Sequence, residues 1–124
     1  MSDAITLRDM RFMGRHGVSA DERAEPQPFE VDIVMRLDLS GPATSDMLTD
    51  TVDYASVFEL ARRIVEGRSF HLIEALASAI ADGVLAQFPI DDVEVSLRKP
   101  KAPLPGAFET VEVQLRRRRG EPAG

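Results

Sequence analysis

The spacing of apolar residues changes twice along this chain, from every second residue to every third or fourth and then back to every second. Two-residue spacing predicts strands that bury one face, and the wider spacing predicts amphipathic helices. The predicted strands cover residues 5–13, 29–39, 93–99 and 108–115, and the predicted helices run from 53 to 67 and from about 72 to 88. The order β-β-α-α-β-β predicts an α+β fold, in which two helices cover one face of a four-stranded antiparallel sheet.

Length and charge limit what else the chain contains. Its 124 residues fit one domain, which we place at 1–119, followed by a loose tail at 120–124. A net charge of −6 would repel a phosphate backbone, so nucleic acid is not expected as a partner. The basic run 116–119 follows an alternating segment, and we therefore predict that it is a solvated strand end leading into the tail.

The sequence also lacks signals for membranes and secretion. No apolar run approaches the roughly 20 residues of a membrane span, so no membrane partner is expected. The first residues lack the basic start and apolar stretch of a secretory signal, and cysteine is absent, which favours a cytoplasmic location. With His16 and His71 as the two histidines, a His-rich or Cys-rich zinc site cannot be assembled from one chain, and no metal site is predicted.

Two features of the predicted fold bear on function. The segment 14–28 is rich in Gly, Pro and polar residues and is too long for a tight hairpin, which is typical of functional loops. His16 lies in it between Gly14 and Gly17, and we expect its imidazole to cap the backbone there. A four-stranded sheet also has two edges that must be blunted or paired with another chain, so subunit association is expected.

Lys99 is the strongest candidate for a working residue. It ends the strand 93–99 with the same parity as Val93, Val95 and Leu97, so its side chain extends the buried face. Burial disfavours the charged form of a lysine and lowers its pKa toward the range in which an amine both takes and gives a proton. The alternative is an ammonium that reaches solvent from the strand end.

Other polar candidates stand at predicted helix starts and in the long loop. Glu74 lies in the first turn of the second helix, where it either stabilises the helix dipole by about 0.3 to 1 kcal/mol or accepts paired N–H donors from a planar heterocycle. Asp53 and Tyr54 open the first helix, and Tyr54 either packs with its hydroxyl in water or stacks on a flat ring. Glu22 and Gln27, in the loop, look in isolation like ordinary surface residues.

Taken together, these segments resemble the dihydroneopterin aldolase family of the folate pathway. The resemblance covers nearly the whole chain, and its pieces are LRDMRFMGRHG at 7–17, Glu22 with PQPFEVD at 26–32, DTVDY at 50–54, LIEALA at 72–77 and KPKAP at 99–103. No piece is decisive alone, but five pieces in this order and spacing make a specific match.

The resemblance implies the tunnelling fold, in which β-β-α-α-β-β subunits join their sheet edges into a ring and two rings commonly stack into an octamer. Active sites would then lie between neighbouring subunits of a homo-oligomer. The implied substrate is a small pterin, 7,8-dihydroneopterin, which is cleaved to 6-hydroxymethyl-7,8-dihydropterin and glycolaldehyde, with 2′-epimerase activity if the intermediate recombines. Because the substrate's own C6=N5 imine receives the electrons, the implied retro-aldol reaction needs no cofactor, metal or lysine Schiff base.

Residue roles also follow from the resemblance. It implies that Glu74 anchors the 2-amino and N3 edge of the pterin and that Lys99 and Tyr54 transfer protons. The implied catalytic residues are Lys99, Tyr54 and Glu22, and the implied substrate-binding residues are Glu74, Ile73, Leu72, Val52, Asp53 and Gln27.

Two other functions stay open at the level of sequence. A dihydroneopterin triphosphate 2′-epimerase shares the Lys, Tyr and Glu pattern, and release of glycolaldehyde distinguishes an aldolase from it. A non-catalytic oligomer that binds a pterin or purine would keep Glu74, but it would not need both Lys99 and Tyr54.

Overall fold

The computed structural model describes residues 3–121, in which four strands form one antiparallel sheet. The strands are β1 (Ala4–Gly14), β2 (Gln27–Arg36), β3 (Asp92–Lys99) and β4 (Val111–Arg118), and they lie side by side in that order. Two long helices, α3 (Tyr54–Glu66) and α4 (Ile73–Gln87), separate β2 from β3 along the chain. Three shorter elements are α1 (Ala20–Ala24), α2 (Ser40–Ser45) and a 3-10 turn at Leu48–Asp50.

One face of the sheet carries the core. Along β2 every second side chain from Phe29 to Met35 is fully buried, while the residues between them are half-buried. Helix α3 packs against β1, and α4 packs against β3 and β4. The predicted α+β arrangement of two helices over a four-stranded antiparallel sheet is thus confirmed. Among the helices of residues 3–121, none is long and apolar enough to cross a bilayer.

The predicted end of the second strand and start of the fourth are wrong by a few residues. Strand β2 ends at Arg36 instead of residue 39, because the Asp38 carboxylate accepts the backbone N–H of Ser40 (2.9 Å) in a turn that leads into α2. Strand β4 begins at Val111 instead of residue 108. Val111 pairs with Lys99, the last residue of β3, and the proline that follows Lys99 has no N–H with which to extend the ladder.

The basic run at the end of β4 makes specific contacts. Strand β4 extends to Arg118, so the prediction of a strand end is confirmed. Arg116 forms a two-point ion pair with Asp92 on β3, at 2.9 and 2.5 Å. Arg119 is not loose, because its guanidinium donates hydrogen bonds to backbone carbonyls at and beyond the end of α4, those of Leu85, Phe88 and Ile90. These carbonyls lack partners within the helix, so Arg119 stabilises its end.

The predicted tail at 120–124 is described only in its first two residues. The backbone N–H of Glu121 donates to the carbonyl of Arg118 (3.1 Å), and Gly120 takes a φ of 84°, which glycine adopts without strain. Residues 122–124 lie outside the part of the chain that the structure describes.

Candidate active site

Lys99 lies inside the protein at the end of β3. It is only 7% exposed, so the prediction of a buried lysine is confirmed and the alternative of an ammonium in solvent is wrong. Its Nζ lies 2.5 Å from Oε2 of Glu22, whose side chain is also largely buried. The spacing of apolar residues predicts burial of Lys99 alone, and the structure adds a carboxylate that compensates the buried positive charge.

Glu22 reaches Lys99 because a short helix turns it inward. The sequence predicts a loop over 14–28, but α1 forms within it and Gln27 already belongs to β2. Ser19 is the N-cap of α1, and its Oγ accepts the backbone N–H of Glu22 (3.2 Å). A serine followed three residues later by a glutamate is the capping-box pattern, and this signal in the sequence predicts a helix start at residue 20.

Gly17 provides the space for the Glu22 side chain. A Cβ atom at Gly17 would lie 2.4–2.6 Å from atoms of that side chain, closer than carbon and oxygen atoms can approach. The carbonyls of Gly17 and Val18 accept hydrogen bonds from Nη1 of Arg23, at 3.0 and 2.6 Å. The loop before α1 is therefore held closely against the residue that pairs with Lys99.

Gln27 completes a cluster of three polar side chains. Its Nε2 lies 3.4 Å from Oε2 of Glu22 and 3.5 Å from the backbone carbonyl of His16. Its Oε1 is buried and accepts no hydrogen bond from residues 3–121. Because a buried carbonyl oxygen is costly to leave unpaired, this atom is suited to accept a hydrogen bond from a hydroxyl group.

The electrostatics of the cluster favour an ionised Glu22. Burial alone would raise the pKa of the Glu22 carboxyl, but the hydrogen bond and the positive charge of Lys99 outweigh it, with smaller contributions from Gln27 and the backbone of Ser19. The pKa of Glu22 therefore lies below its ordinary value. A substrate hydroxyl entering this cluster would meet Lys99 and Glu22, which are groups that can move a proton to or from it, and the Gln27 amide, which can form a hydrogen bond with it.

The prediction that the His16 imidazole caps the backbone is confirmed, and the ring contacts two backbone groups. Its ring is fully buried; Nδ1 accepts the backbone N–H of Phe70 (3.0 Å), and Nε2 contacts the carbonyl of Val65 (2.6 Å). Burial lowers the pKa of His16, and the nearby positive charge of Lys99 acts in the same direction. The sequence could not identify Val65 and Phe70 as partners, because they are distant along the chain.

The residues at the start of α3 form a second group. Asp53 is the N-cap of the helix, and its Oδ1 accepts the backbone N–H of Ala55 (3.0 Å). Val52 is buried, whereas Tyr54, the first residue of α3, is 61% exposed. The prediction that Asp53 and Tyr54 open this helix is confirmed, and the ring of Tyr54 is accessible for stacking.

The residues at the start of α4 form a third group. Leu72 occupies the N-cap position, where no side chain caps the helix, and it is half exposed. Ile73 is buried, and Glu74 is exposed in the first turn. A carboxylate beside the first backbone N–H groups of a helix presents acceptors and donors next to each other, which suits the edge of a heterocycle.

The structure brings together only part of the predicted site. Lys99, Glu22 and Gln27 are in direct contact, but within residues 3–121 neither Tyr54 nor Glu74 forms a hydrogen bond or ion pair with them. Surface clefts of about 300 to 410 Å³ among residues 3–121 are lined by other residues. Residues 3–121 contain no group of three His, Cys, Asp or Glu side chains arranged to hold a metal ion.

Comparison with known proteins identifies the family. Residues 5–116 match the family model described as dihydroneopterin aldolase. The chain belongs to the dihydroneopterin aldolase family. A dihydroneopterin aldolase of Streptococcus pyogenes serotype M18 is 41% identical over 118 residues, which cover 94% of this chain and 99% of that protein.

Two solved structures extend the similarity to the fold. An E. coli dihydroneopterin aldolase in complex with neopterin has a TM-score of 0.85 and 31% identity, covering 93% of this chain and 98% of that chain. A Burkholderia thailendensis dihydroneopterin aldolase bound to guanine has a TM-score of 0.78 and 26% identity, covering 94% and 91%. As a member of this family the protein is an aldolase, a carbon–carbon lyase. The triphosphate epimerase and the non-catalytic binder are not favoured.

Proposed function

We propose that the protein cleaves 7,8-dihydroneopterin by a metal-free retro-aldol reaction to 6-hydroxymethyl-7,8-dihydropterin and glycolaldehyde. The observation that carries this proposal is the buried contact of 2.5 Å between Nζ of Lys99 and Oε2 of Glu22. A buried amine in contact with a carboxylate is suited to exchange protons with a substrate hydroxyl. We also propose that the enzyme is cytoplasmic, a location supported by a composition without cysteine, as is usual for proteins of a reducing compartment.

Recognition of the pterin ring is assigned to the start of α4. The exposed Glu74 carboxylate has two oxygens that can accept hydrogen bonds from the 2-amino group and N3–H of a pterin. Backbone groups of Leu72 and Ile73 lie beside it to bind the ring's other polar atoms, and Val52 and Asp53 are assigned to the ring's surroundings. Guanine, which binds the Burkholderia relative, carries the same aminopyrimidinone edge, and this supports the assignment.

The bond cleavage balances without an external electron acceptor. Lys99 in its neutral amine form, acting through an ordered water, removes the proton from the 2′-hydroxyl, and the bond between C1′ and C2′ breaks as the C2′ carbonyl of glycolaldehyde forms. The released electron pair enters the C6=N5 imine, and N5 takes up the proton that Lys99 has gained, which gives an enamine. Protonation of the exocyclic carbon and loss of the N5 proton then restore the imine in the product.

Two further side chains are assigned to the proton steps. Tyr54 helps to return the proton to the exocyclic carbon, and Glu22 stabilises the charged form of Lys99 while it is protonated. Gln27 binds the reacting side chain, and its buried Oε1, which accepts no hydrogen bond from residues 3–121, supports this role. If the enamine recombines with glycolaldehyde on its other face, the 2′ epimer of the substrate forms, so we include a 2′-epimerase activity in the proposal.

We propose that the complete site forms between subunits of a ring, in a tetramer or an octamer. Strands β1 and β4 are both sheet edges, and β4 carries the half-buried apolar residues Val111, Val113 and Leu115. Tyr54 and Glu74 are exposed and, within residues 3–121 of one chain, form no hydrogen bond or ion pair with the Lys99 cluster, which supports a site that needs a neighbouring copy. Light scattering should give the mass of four or eight chains of 13.7 kDa, and a monomer would contradict this proposal.

The cleavage is tested by incubating the purified, chelator-treated protein with 7,8-dihydroneopterin and assaying both products. We expect 6-hydroxymethyl-7,8-dihydropterin and glycolaldehyde in equal amounts, without added metal. Activity that returns only with a divalent metal would contradict the metal-free route. If the triphosphate of dihydroneopterin were epimerised and no glycolaldehyde appeared, the epimerase would be the correct assignment.

A further inference from the structure

The buried ring of His16 joins two separate parts of the chain. Its Nδ1 accepts the backbone N–H of Phe70, so the proton must reside on Nε2, which donates to the carbonyl of Val65 in the last turn of α3. The ring is therefore neutral and in a single tautomer in this arrangement. It packs edge-on against Phe29, with ring centroids 5.2 Å apart, and beside Phe70, at 5.8 Å.

Both backbone hydrogen-bonding groups of Phe70 are bound by residues 16 and 17. Its N–H donates to His16, and its carbonyl accepts the backbone N–H of Gly17 (3.0 Å). Phe70 lies in the short connection between α3 and α4, two residues before the N-cap Leu72. Residues 16 and 17 therefore fix the backbone that leads directly into the first turn of α4, where Glu74 lies.

The same two residues also contact the Lys99 cluster. The backbone carbonyl of His16 lies 3.5 Å from Nε2 of Gln27, and Gly17 packs closely against Glu22. One short loop is thus attached on one side to the groups assigned to proton transfer and on the other side to the segment assigned to pterin binding.

We propose that His16 is a positioning residue for the aldolase reaction, which holds the start of α4 in register with the Lys99 and Glu22 pair through its bond to Phe70. The inference rests on the roles proposed above for Glu74 and Lys99. His16 is fully buried, so it acts through the backbone of Phe70 and not by touching the substrate. Displacing a binding group by a fraction of an ångström weakens every contact that it makes with a rigid ring.

Two variants separate the two bonds of the ring. In His16→Asn the side-chain oxygen lies near the position of Nδ1 and can still accept the N–H of Phe70, but the contact with Val65 is lost. In His16→Gln the amide nitrogen reaches toward Val65, but the acceptor for Phe70 is lost. The variant Val84→Ala, in the core face of α4, is the matched control for a general loss of stability.

The measurements are the Kd of guanine, kcat and KM for 7,8-dihydroneopterin, and the midpoint of thermal unfolding. We expect His16→Gln to raise the Kd of guanine and KM roughly tenfold and to lower kcat by a similar factor, because the bound ring is then displaced from Lys99, and we expect His16→Asn to change each of these quantities less than about threefold. Val84→Ala should lower the unfolding midpoint while leaving the Kd of guanine unchanged.

The inference is overturned if His16→Gln binds guanine as tightly as the wild type, or if His16→Asn is the weaker binder of the two. It is also overturned if Val84→Ala weakens guanine binding as much as His16→Gln does at an equal loss of stability. These results differ from a failure of the proposed function, in which the wild-type protein itself would neither bind guanine nor cleave 7,8-dihydroneopterin.

Discussion

Lys99 and its neighbour Arg98 are adjacent cations on β3, but they lie on opposite faces of the sheet and in opposite electrostatic settings. Arg98 lies on the face away from the helices, where it contacts Glu30 (3.0 Å), Asp32 (2.8 Å) and Glu112 (3.2 Å). The hydrogen bond with Asp32 is the main cause that raises the pKa of Arg98, and the same bond lowers the pKa of Asp32. Lys99 is buried on the core face beside Glu22.

The difference shows which cation is available for chemistry. The guanidinium of Arg98 has five N–H donors, and several carboxylates from β2 and β4 already accept from them, so it holds neighbouring strands together. The ammonium of Lys99 has three donors, and Glu22 is its one ion-pair partner within residues 3–121. Lys99 can therefore still bond a substrate or water, whereas Arg98 is occupied by structural contacts.

The largest effect is expected for Lys99→Ala. Loss of a group that transfers protons should lower kcat by roughly a thousandfold, while the Kd of guanine changes less than about threefold, because Lys99 is not assigned to ring binding. Steady-state kinetics with 7,8-dihydroneopterin and guanine titration measure both quantities. Lys101→Ala, at an exposed lysine two residues along the chain, is the control and should retain wild-type kcat.

If Lys99→Ala turned over at the wild-type rate, the contrast between the two cations would have no functional meaning, and the proposed role of Lys99 would be wrong.

The second largest effect is expected for Glu74→Ala. Removing the carboxylate that accepts two N–H donors should raise the Kd of guanine by roughly a hundredfold. Titration calorimetry measures this loss, and Asp82→Ala, an exposed acidic residue on the same helix, is the control that should bind normally. Unchanged guanine affinity in Glu74→Ala would show that the start of α4 does not bind the pterin ring.

For Arg98→Met we expect a loss of stability without a comparable loss of activity. The substitution breaks the charge-assisted hydrogen bonds of Arg98 with its carboxylate partners, which are only partly exposed to solvent. Their loss should lower the free energy of unfolding by about 2 kcal/mol. Urea denaturation measures the change, and Arg8→Ala, whose 4.0 Å contact with Asp32 is at the surface, should cost less than about 0.5 kcal/mol. A kcat that falls as far as in Lys99→Ala would show that the two cations do not differ as described.

The smallest effect is expected on the pH dependence of stability, through His16. Burial lowers its pKa in the folded state below the ordinary value of 6.5, so the unfolded chain binds the proton first on acidification. The stability that neutral His16 contributes is complete above pH 6.5. It is lost as the pH falls from about 6.5 through the pKa of the folded state, by no more than about 1.4 kcal/mol per pH unit. Unfolding midpoints measured from pH 8 to pH 5 should fall in the wild type and stay flatter in His16→Asn. Equal slopes in both proteins would exclude His16 as the cause.

Most of the strands and helices can be predicted from the sequence, because an element that buries one face has apolar residues at regular spacing. The alternation through Val93, Val95 and Leu97 predicts that Lys99 is buried, and the structure confirms it. The ends of the strands do not follow in the same way. They depend on where the partner strand stops and on local turns such as the one between Asp38 and Ser40.

Less of the candidate site can be predicted from the sequence, because its contacts join distant parts of the chain. The pairing of Glu22 with Lys99 requires the turn of α1, for which the serine at position 19 is a signal, together with the end of β3. The contacts of His16 with Val65 and Phe70 leave no local pattern. Within residues 3–121, Tyr54 and Glu74 form no hydrogen bond or ion pair with the Lys99 cluster, so no local pattern in the sequence links them to it.

The central claim is that Lys99 and Glu22 act as one proton-transfer unit, and a double-variant cycle in kcat tests it most directly. The cycle compares Lys99→Ala, Glu22→Gln and the combined variant with the wild type, using 7,8-dihydroneopterin as substrate. Because groups that act as a unit are not additive, we expect the combined variant to have the kcat of Lys99→Ala alone, within about twofold. A combined loss equal to the product of the two single losses would contradict the claim.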